Sequence, residues 1–187
     1  MQINSGIHKG RKLVVPKGDV VRPTFTKLKQ SLFNICSQTI QQASFLDLFA
    51  GAGGMGLEAL SRGARFATFV EQDRGALTAI RANIATLKEE ERTYVLSLDV
   101  FIALERLCKM KKSYDIIFAD PPYGSHEKSL SDQVLKFIDT HDLLKEEGEL
   151  FLEDALEAYD ETIQLTTLRL KSERKMGRAL LRQYIKS

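Results

Sequence analysis

The chain has 187 residues, of which 43% are hydrophobic, with a net charge of +2. That is enough for one domain with a sizeable core, and no uninterrupted apolar run is long enough to cross a membrane. The opening residues, Met1 to Gly6, lack the apolar stretch of a secretory leader. The two cysteines, Cys36 and Cys108, are far apart and read as buried free thiols in a reducing compartment.

The elements then follow in order. Gln2–Ile7 and Arg11–Val15 flank His8-Lys9-Gly10 and predict a small hairpin, which Pro16-Lys17-Gly18 ends. Thr24 or Thr26 is placed to cap a helix that turns Leu28, Leu32, Ile35 and Cys36 inward. From there strands and helices alternate. Strands are expected at Ser44–Phe49, Phe66–Glu71, Thr93–Leu98, Tyr114–Ala119 and Gly148–Glu153. Helices are expected at Met55–Arg62, Asp73–Leu87, Val100–Met110 and Leu130–Phe137. The rhythm implies an α/β fold, a mostly parallel sheet covered by helices on both faces. Ile163–Lys171 and Ala179–Ile185 are joined by a stretch too short for a helical crossover. They predict an antiparallel hairpin closing one sheet edge. The chain divides into a basic N-terminal arm over 1–36, packed on a core domain over 37–187.

Charge is unevenly placed. Residues 1–36 hold seven Lys or Arg against Asp19, and residues 169–187 hold seven against Glu173. The basic ends point to a polyanion such as RNA, with Lys9, Arg11, Lys12, Arg22, Arg174, Lys175 and Arg178 as candidate phosphate contacts. His8, His126 and His141 are scattered and read as surface residues. No cysteine–histidine group has metal-ligand spacing, so no metal is expected.

Asp120-Pro121-Pro122-Tyr123 follows a buried apolar strand. The prolines stiffen the backbone and remove two N–H donors. A carboxylate, a bare carbonyl and a ring remain, suited to receiving an exocyclic NH2 while stacking on a base. Asp120, Pro121 and Tyr123 are the catalytic candidates.

A second motif, Asp47 to Gly56, follows a strand and opens a helix. Its Gly51-x-Gly53-x-x-Gly56 spacing lets backbone approach a nucleotide-like ligand. Asp47, Glu71 and Asp99 close three successive strands. Glu71 is placed for two ribose hydroxyls and Asp99 for an adenine NH2, although Asp99 also suits a helix N-cap before Val100. Asp47 would repel the pyrophosphate of a dinucleotide and welcome an amino or cationic group. That favours S-adenosylmethionine, with Asp47, Ala50, Gly51, Gly53, Glu71, Gln72, Asp99 and Val100 as candidate contacts.

These residues resemble the RsmD-like family of bacterial 16S (small-subunit) rRNA guanine-N2 methyltransferases. The likeness also includes Gly6-x-x-x-Gly10-Arg11, Arg22-Pro23-Thr24, Leu32-Phe33-Asn34, Gly56 to Gly63 and Phe69-Val70-Glu71. It implies a Rossmann-like class I S-adenosylmethionine-dependent methyltransferase: a seven-stranded, mostly parallel sheet, an antiparallel C-terminal hairpin and a small N-terminal β-hairpin extension. It further suggests that Arg22-Pro23-Thr24 lies near cofactor or base. Thr26 and Gln30 stand where the family usually has acids. The expected substrate is ribosomal RNA or the small-subunit ribonucleoprotein particle, the expected compartment the cytoplasm and the expected state a monomer. Rival readings are a DNA adenine-N6 methyltransferase, which shares the Asp120 motif, a small-molecule or protein-amine methyltransferase, a non-catalytic RNA-binding module and an NAD-dependent oxidoreductase built on the glycine loop.

Overall fold

The computed structural model describes residues 1–16, 23–122, 130–155, 163–177 and 179–187, with the backbone alone at 23–25 and 155. Among the described residues, seven strands form one sheet: β1 (Ser44–Leu48), β2 (Phe66–Glu71), β3 (Thr93–Ser97), β4 (Tyr114–Ala119), β5 (Leu144–Ala155), β6 (Leu168–Met176) and β7 (Ala179–Lys186). Their order is β3-β2-β1-β4-β5-β7-β6. The first five run parallel, and β7 and β6 pair antiparallel at the end. The expected α/β architecture with a closing hairpin is therefore present.

The helices are α1 (Pro23–Ile35), α2 (Gly54–Ser61), α3 (Arg74–Leu87), α4 (Val100–Lys109) and α5 (Leu130–Thr140). Alternation along each buried strand sends odd and even side chains to opposite faces. Phe45, Phe69, Ile116 and Phe118 join Leu32, Leu57 and Ile80 in the layer of α1, α2 and α3. Leu46, Leu48, Ile117 and Leu150 join Leu104, Leu107 and Leu135 in the layer of α4 and α5.

Several boundaries differ from expectation, each for a local reason. The first helix begins at Pro23, so Thr24 and Thr26 lie inside it and neither opens it. Proline suits a first helical position, where its missing N–H has no partner to lose. β1 stops at Leu48 because Phe49 takes a left-handed φ of 61°. β6 extends to Met176, so most of the stretch expected to be a loop is strand, and a bulge between Leu170 and Ser172 absorbs the change of register. The N-terminal hairpin is slighter than expected. It carries one bridge, Gln2 to Lys12, and residues 5–10 form its turn.

That arm is nonetheless firmly docked. Glu58 of α2, fully buried, accepts from the amides of Asn4 and Ser5 at 2.8 and 3.0 Å and pairs with Lys29 and Arg62. Ser61 takes Ile7 N on its carbonyl and His8 N on its hydroxyl. Gly6 has φ +82°, and a Cβ there would sit 1.7 Å from the Ser61 carbonyl oxygen. His8 is half-buried against Glu89 at 2.6 Å, not a free surface residue.

Candidate active site

The strand order reverses at β1 and β4, which are neighbours leading to opposite halves of the sheet. Ligands of open α/β sheets bind outside the carboxyl ends of the strands at such a point. Leu48 pairs with Ala119, so Phe49 and Asp120 leave the sheet side by side. The glycine loop and the prolyl motif are thus brought together by register alone.

Asp47, 1% exposed, turns into the loop. Its Oδ2 accepts from Gly56 N at 2.9 Å and holds the first turn of α2 against β1. Asp47 thus clamps the loop, a role the sequence reading did not give it. Burial pushes its carboxyl well above the ordinary carboxylate range, Gly56 N opposes this, and the nearby Glu71 and Asp120 carboxylates raise it further. Glu71 and Asp120 therefore lie close enough to act on Asp47.

Glu71 is aimed by backbone. Its Oε2 accepts from Gly51 N, and its Oε1 accepts from Gln72 N and Asp73 N, all at 2.8 Å. Oε1 is thereby saturated, and Oε2 keeps a further lone pair for a hydroxyl. Gln72 is exposed beside it. Gly51 takes φ +53°, and a Cβ there would meet nothing within 4 Å, so the loop presents bare backbone to open space. Ala50 is buried, its amide bonded to Val70 O. Gly53 turns the chain with φ +81° into α2. Gly56 is needed for packing, since a Cβ would lie 2.3 Å from the Phe69 ring.

Asp99 caps α4, accepting from Phe101 N and Ile102 N at 2.9 and 3.4 Å, with Val100 buried behind it. Asp120 is half-buried, Pro121 buried and Pro122 exposed. Tyr123, Arg22 and Arg178 lie outside the described residues.

The basic candidates separate into two places. Arg174 pairs across to Leu181 and on to Glu153, one residue past the level of Ala119. Arg174 and Lys175, both exposed, are therefore on the carboxyl rim, about 14 Å across three strand spacings from β4. Lys9 follows His8, which is bonded at the far ends of α2 and α3, by the amino end of the sheet. Arg11 and Lys12 are exposed on the returning limb of the arm.

Glu58 and Asn83 are among the buried polar residues that escaped the sequence reading. Both sit on otherwise apolar helix faces, Asn83 between Ile80 and Leu87. That position was the available signal, because a polar side chain buried among apolar neighbours needs partners.

Comparison with known proteins decides the family. The family model described as "Conserved hypothetical protein 95" matches residues 1–185. Ribosomal RNA small subunit methyltransferase D of Escherichia coli (strain K12) is 34% identical over 157 residues, 84% of this chain and 76% of that protein. The chain belongs to the RsmD family of rRNA methyltransferases. The solved structure of Escherichia coli yhhF aligns with a TM-score of 0.85 and 29% identity over 100% of this chain and 98% of that one. The Thermus thermophilus 16S rRNA N2 G1207 methyltransferase RsmC, solved with AdoMet and guanosine, aligns with a TM-score of 0.67 and 17% identity over 91% of this chain and 44% of that one. At that identity RsmC shares the fold alone. Among the described residues, no helix is long and apolar enough to cross a membrane.

Proposed function

We propose that this RsmD-family protein transfers a methyl group from S-adenosylmethionine to the exocyclic N2 amine of a guanine in small-subunit ribosomal RNA. It acts as a monomer in the cytoplasm, on the RNA or on a small-subunit ribonucleoprotein particle. One observation carries the cofactor reading: Asp47, Glu71 and Asp120 converge around a bare-backbone cradle at the switch point of the sheet. The Glu71 and Asp120 carboxylates there suit a cationic or amino ligand and oppose a pyrophosphate, with Asp47 holding the loop behind them. S-adenosylmethionine, when bound, supplies an electrophilic methyl on a sulfonium.

The protein's own groups do the rest. Glu71 holds a ribose hydroxyl on Oε2. Asp99 retains an acceptor oxygen, Oδ2, for an adenine amine while its Oδ1 caps α4. Guanine N2 is a weak nucleophile, since its lone pair is delocalised into the ring. Asp120 and the Pro121 carbonyl accept from the NH2 and turn that lone pair toward the methyl. Alignment supplies most of the acceleration, and Asp120 need not be a strong base, because the proton leaves after transfer. Tyr123 stacks on a base flipped out of its helix. Arg174 and Lys175 hold phosphates at the rim, with the arm extending the contact, so RNA affinity falls with salt by about 0.7 log units per log unit for each phosphate neutralised.

Thermal melting tests the cofactor class. S-adenosylhomocysteine raises Tm in proportion to its occupancy and NAD leaves it unchanged. Stabilisation by NAD and not by S-adenosylhomocysteine overturns the proposal.

A further inference from the structure

Among the described residues, the side chain of Asn83 joins the N-terminal arm to the glycine loop. Asn83 of α3, 1% exposed, accepts from Val14 N at 2.7 Å on its Oδ1. Its Nδ2 donates to Val14 O at 2.9 Å and to Ala52 O at 3.0 Å. Val14 belongs to the arm, and Ala52 lies between Gly51 and Gly53, two left-handed glycines of the loop. A single buried amide thus spans two segments far apart in sequence, with both of its polar atoms in use.

A second contact runs the same way. The arm continues past Val14 so that Pro16 Cβ lies 3.9 Å from where a Cβ of Gly75 would be, over the first turn of α3. That turn is capped by Asp73, whose own amide donates to Glu71. The arm therefore borders the cradle at Ala52 and at the turn that orients Glu71.

We infer that Asn83 is a positioning residue that couples docking of the N-terminal arm to the shape of the cofactor loop. The inference rests on the proposed S-adenosylmethionine site and assigns it a control that the loop motif does not contain. The Ala52 carbonyl can be drawn toward α3 only while Asn83 is oriented, and Val14 orients it from both sides. An arm lifted from α2 leaves the amide free to rotate and the loop free to relax. An RNA that engages the basic arm then acts on cofactor affinity, and the cofactor acts equally on RNA affinity, since coupling is reciprocal.

A double-mutant cycle read by calorimetry with S-adenosylhomocysteine tests this. Asn83→Ala weakens binding by about tenfold, the value of one or two buried hydrogen bonds. Gly6→Ala, which drives a Cβ into Ser61 at the far end of the arm, weakens it by about threefold although it touches no part of the loop. The double variant binds as Asn83→Ala does. Should Asn83→Ala fail to fold, Asn83→Asp replaces it in the cycle. It keeps the acceptor for Val14 N, sets a carboxylate oxygen against the Ala52 carbonyl and gives at least the same loss. Hydrogen exchange at the Val14 amide reports arm docking independently. Effects that multiply in the double variant, or affinity unchanged by Gly6→Ala while Val14 loses protection, overturn the inference. A wild-type protein that binds no S-adenosylhomocysteine overturns the cofactor reading and the inference together.

Discussion

The two ends of the sheet treat carboxylates in opposite ways. At the amino end, burial tends to raise Asp139, but the amides of Thr166, Thr167 and Leu168 outweigh it and hold the carboxyl below its ordinary range. Asp115 is likewise pulled down, against its burial, by Lys145 and the Ser44 amide. At the carboxyl end Asp47 is pushed up by burial, with one amide against it and two further acids beside it. At Asp139 and Asp115 the donors outweigh burial. At Asp47 burial outweighs the one amide, which is a cost to the fold at the mouth of the glycine loop.

The largest effect expected at the amino end is for Asp139→Ala. It strips acceptors from three amides where the chain leads into β6, and costs about 3 kcal/mol of unfolding free energy in urea titration. Its pH signature follows from a lowered native value. The stabilisation is full above the unfolded carboxyl pKa of about 3.9 and disappears as pH falls through the native value. At the carboxyl end Asp120→Ala lowers turnover by about 10²-fold while S-adenosylhomocysteine affinity holds. A loss of binding equal to the loss of turnover would make Asp120 a cofactor residue and blur the contrast.

Gly56→Ala comes next, at about 2 kcal/mol, because the Phe69 ring must move. The smallest effect is that of Asp47→Asn. With a raised native pKa, Asp47 contributes most below the unfolded value. Its contribution falls as pH rises toward the native value, because only the unfolded chain then ionises. The Asn variant removes that slope, so its stability relative to wild type improves as pH rises above the unfolded carboxyl value. A difference that does not change with pH there would contradict a raised Asp47.

Much of this was visible in the residues themselves. Phe66–Glu71 and Tyr114–Ala119 were read with their observed limits, because both are apolar runs bounded by charged or turn residues. The glycine loop and the prolyl motif announced themselves by composition, and strand order did the rest. What stayed hidden depended on partners remote in sequence. Nothing local shows that Asp47 bonds Gly56, that Glu58 gathers the arm, or that Asn83 spans Val14 and Ala52. The edge strand β6 was misplaced because Ser172 to Lys175 is polar. An outermost strand exposed on most of its length needs no apolar alternation.

The most direct test of the central claim is methyl transfer itself. Labelled S-adenosylmethionine, small-subunit ribosomal RNA or particles lacking this methylation and the wild-type protein are incubated, and the RNA is digested to nucleosides for mass analysis. One new N2-methylguanosine is expected, absent with Asp120→Ala. Label on another base or another guanine atom, or none with a protein that binds S-adenosylhomocysteine, would contradict it.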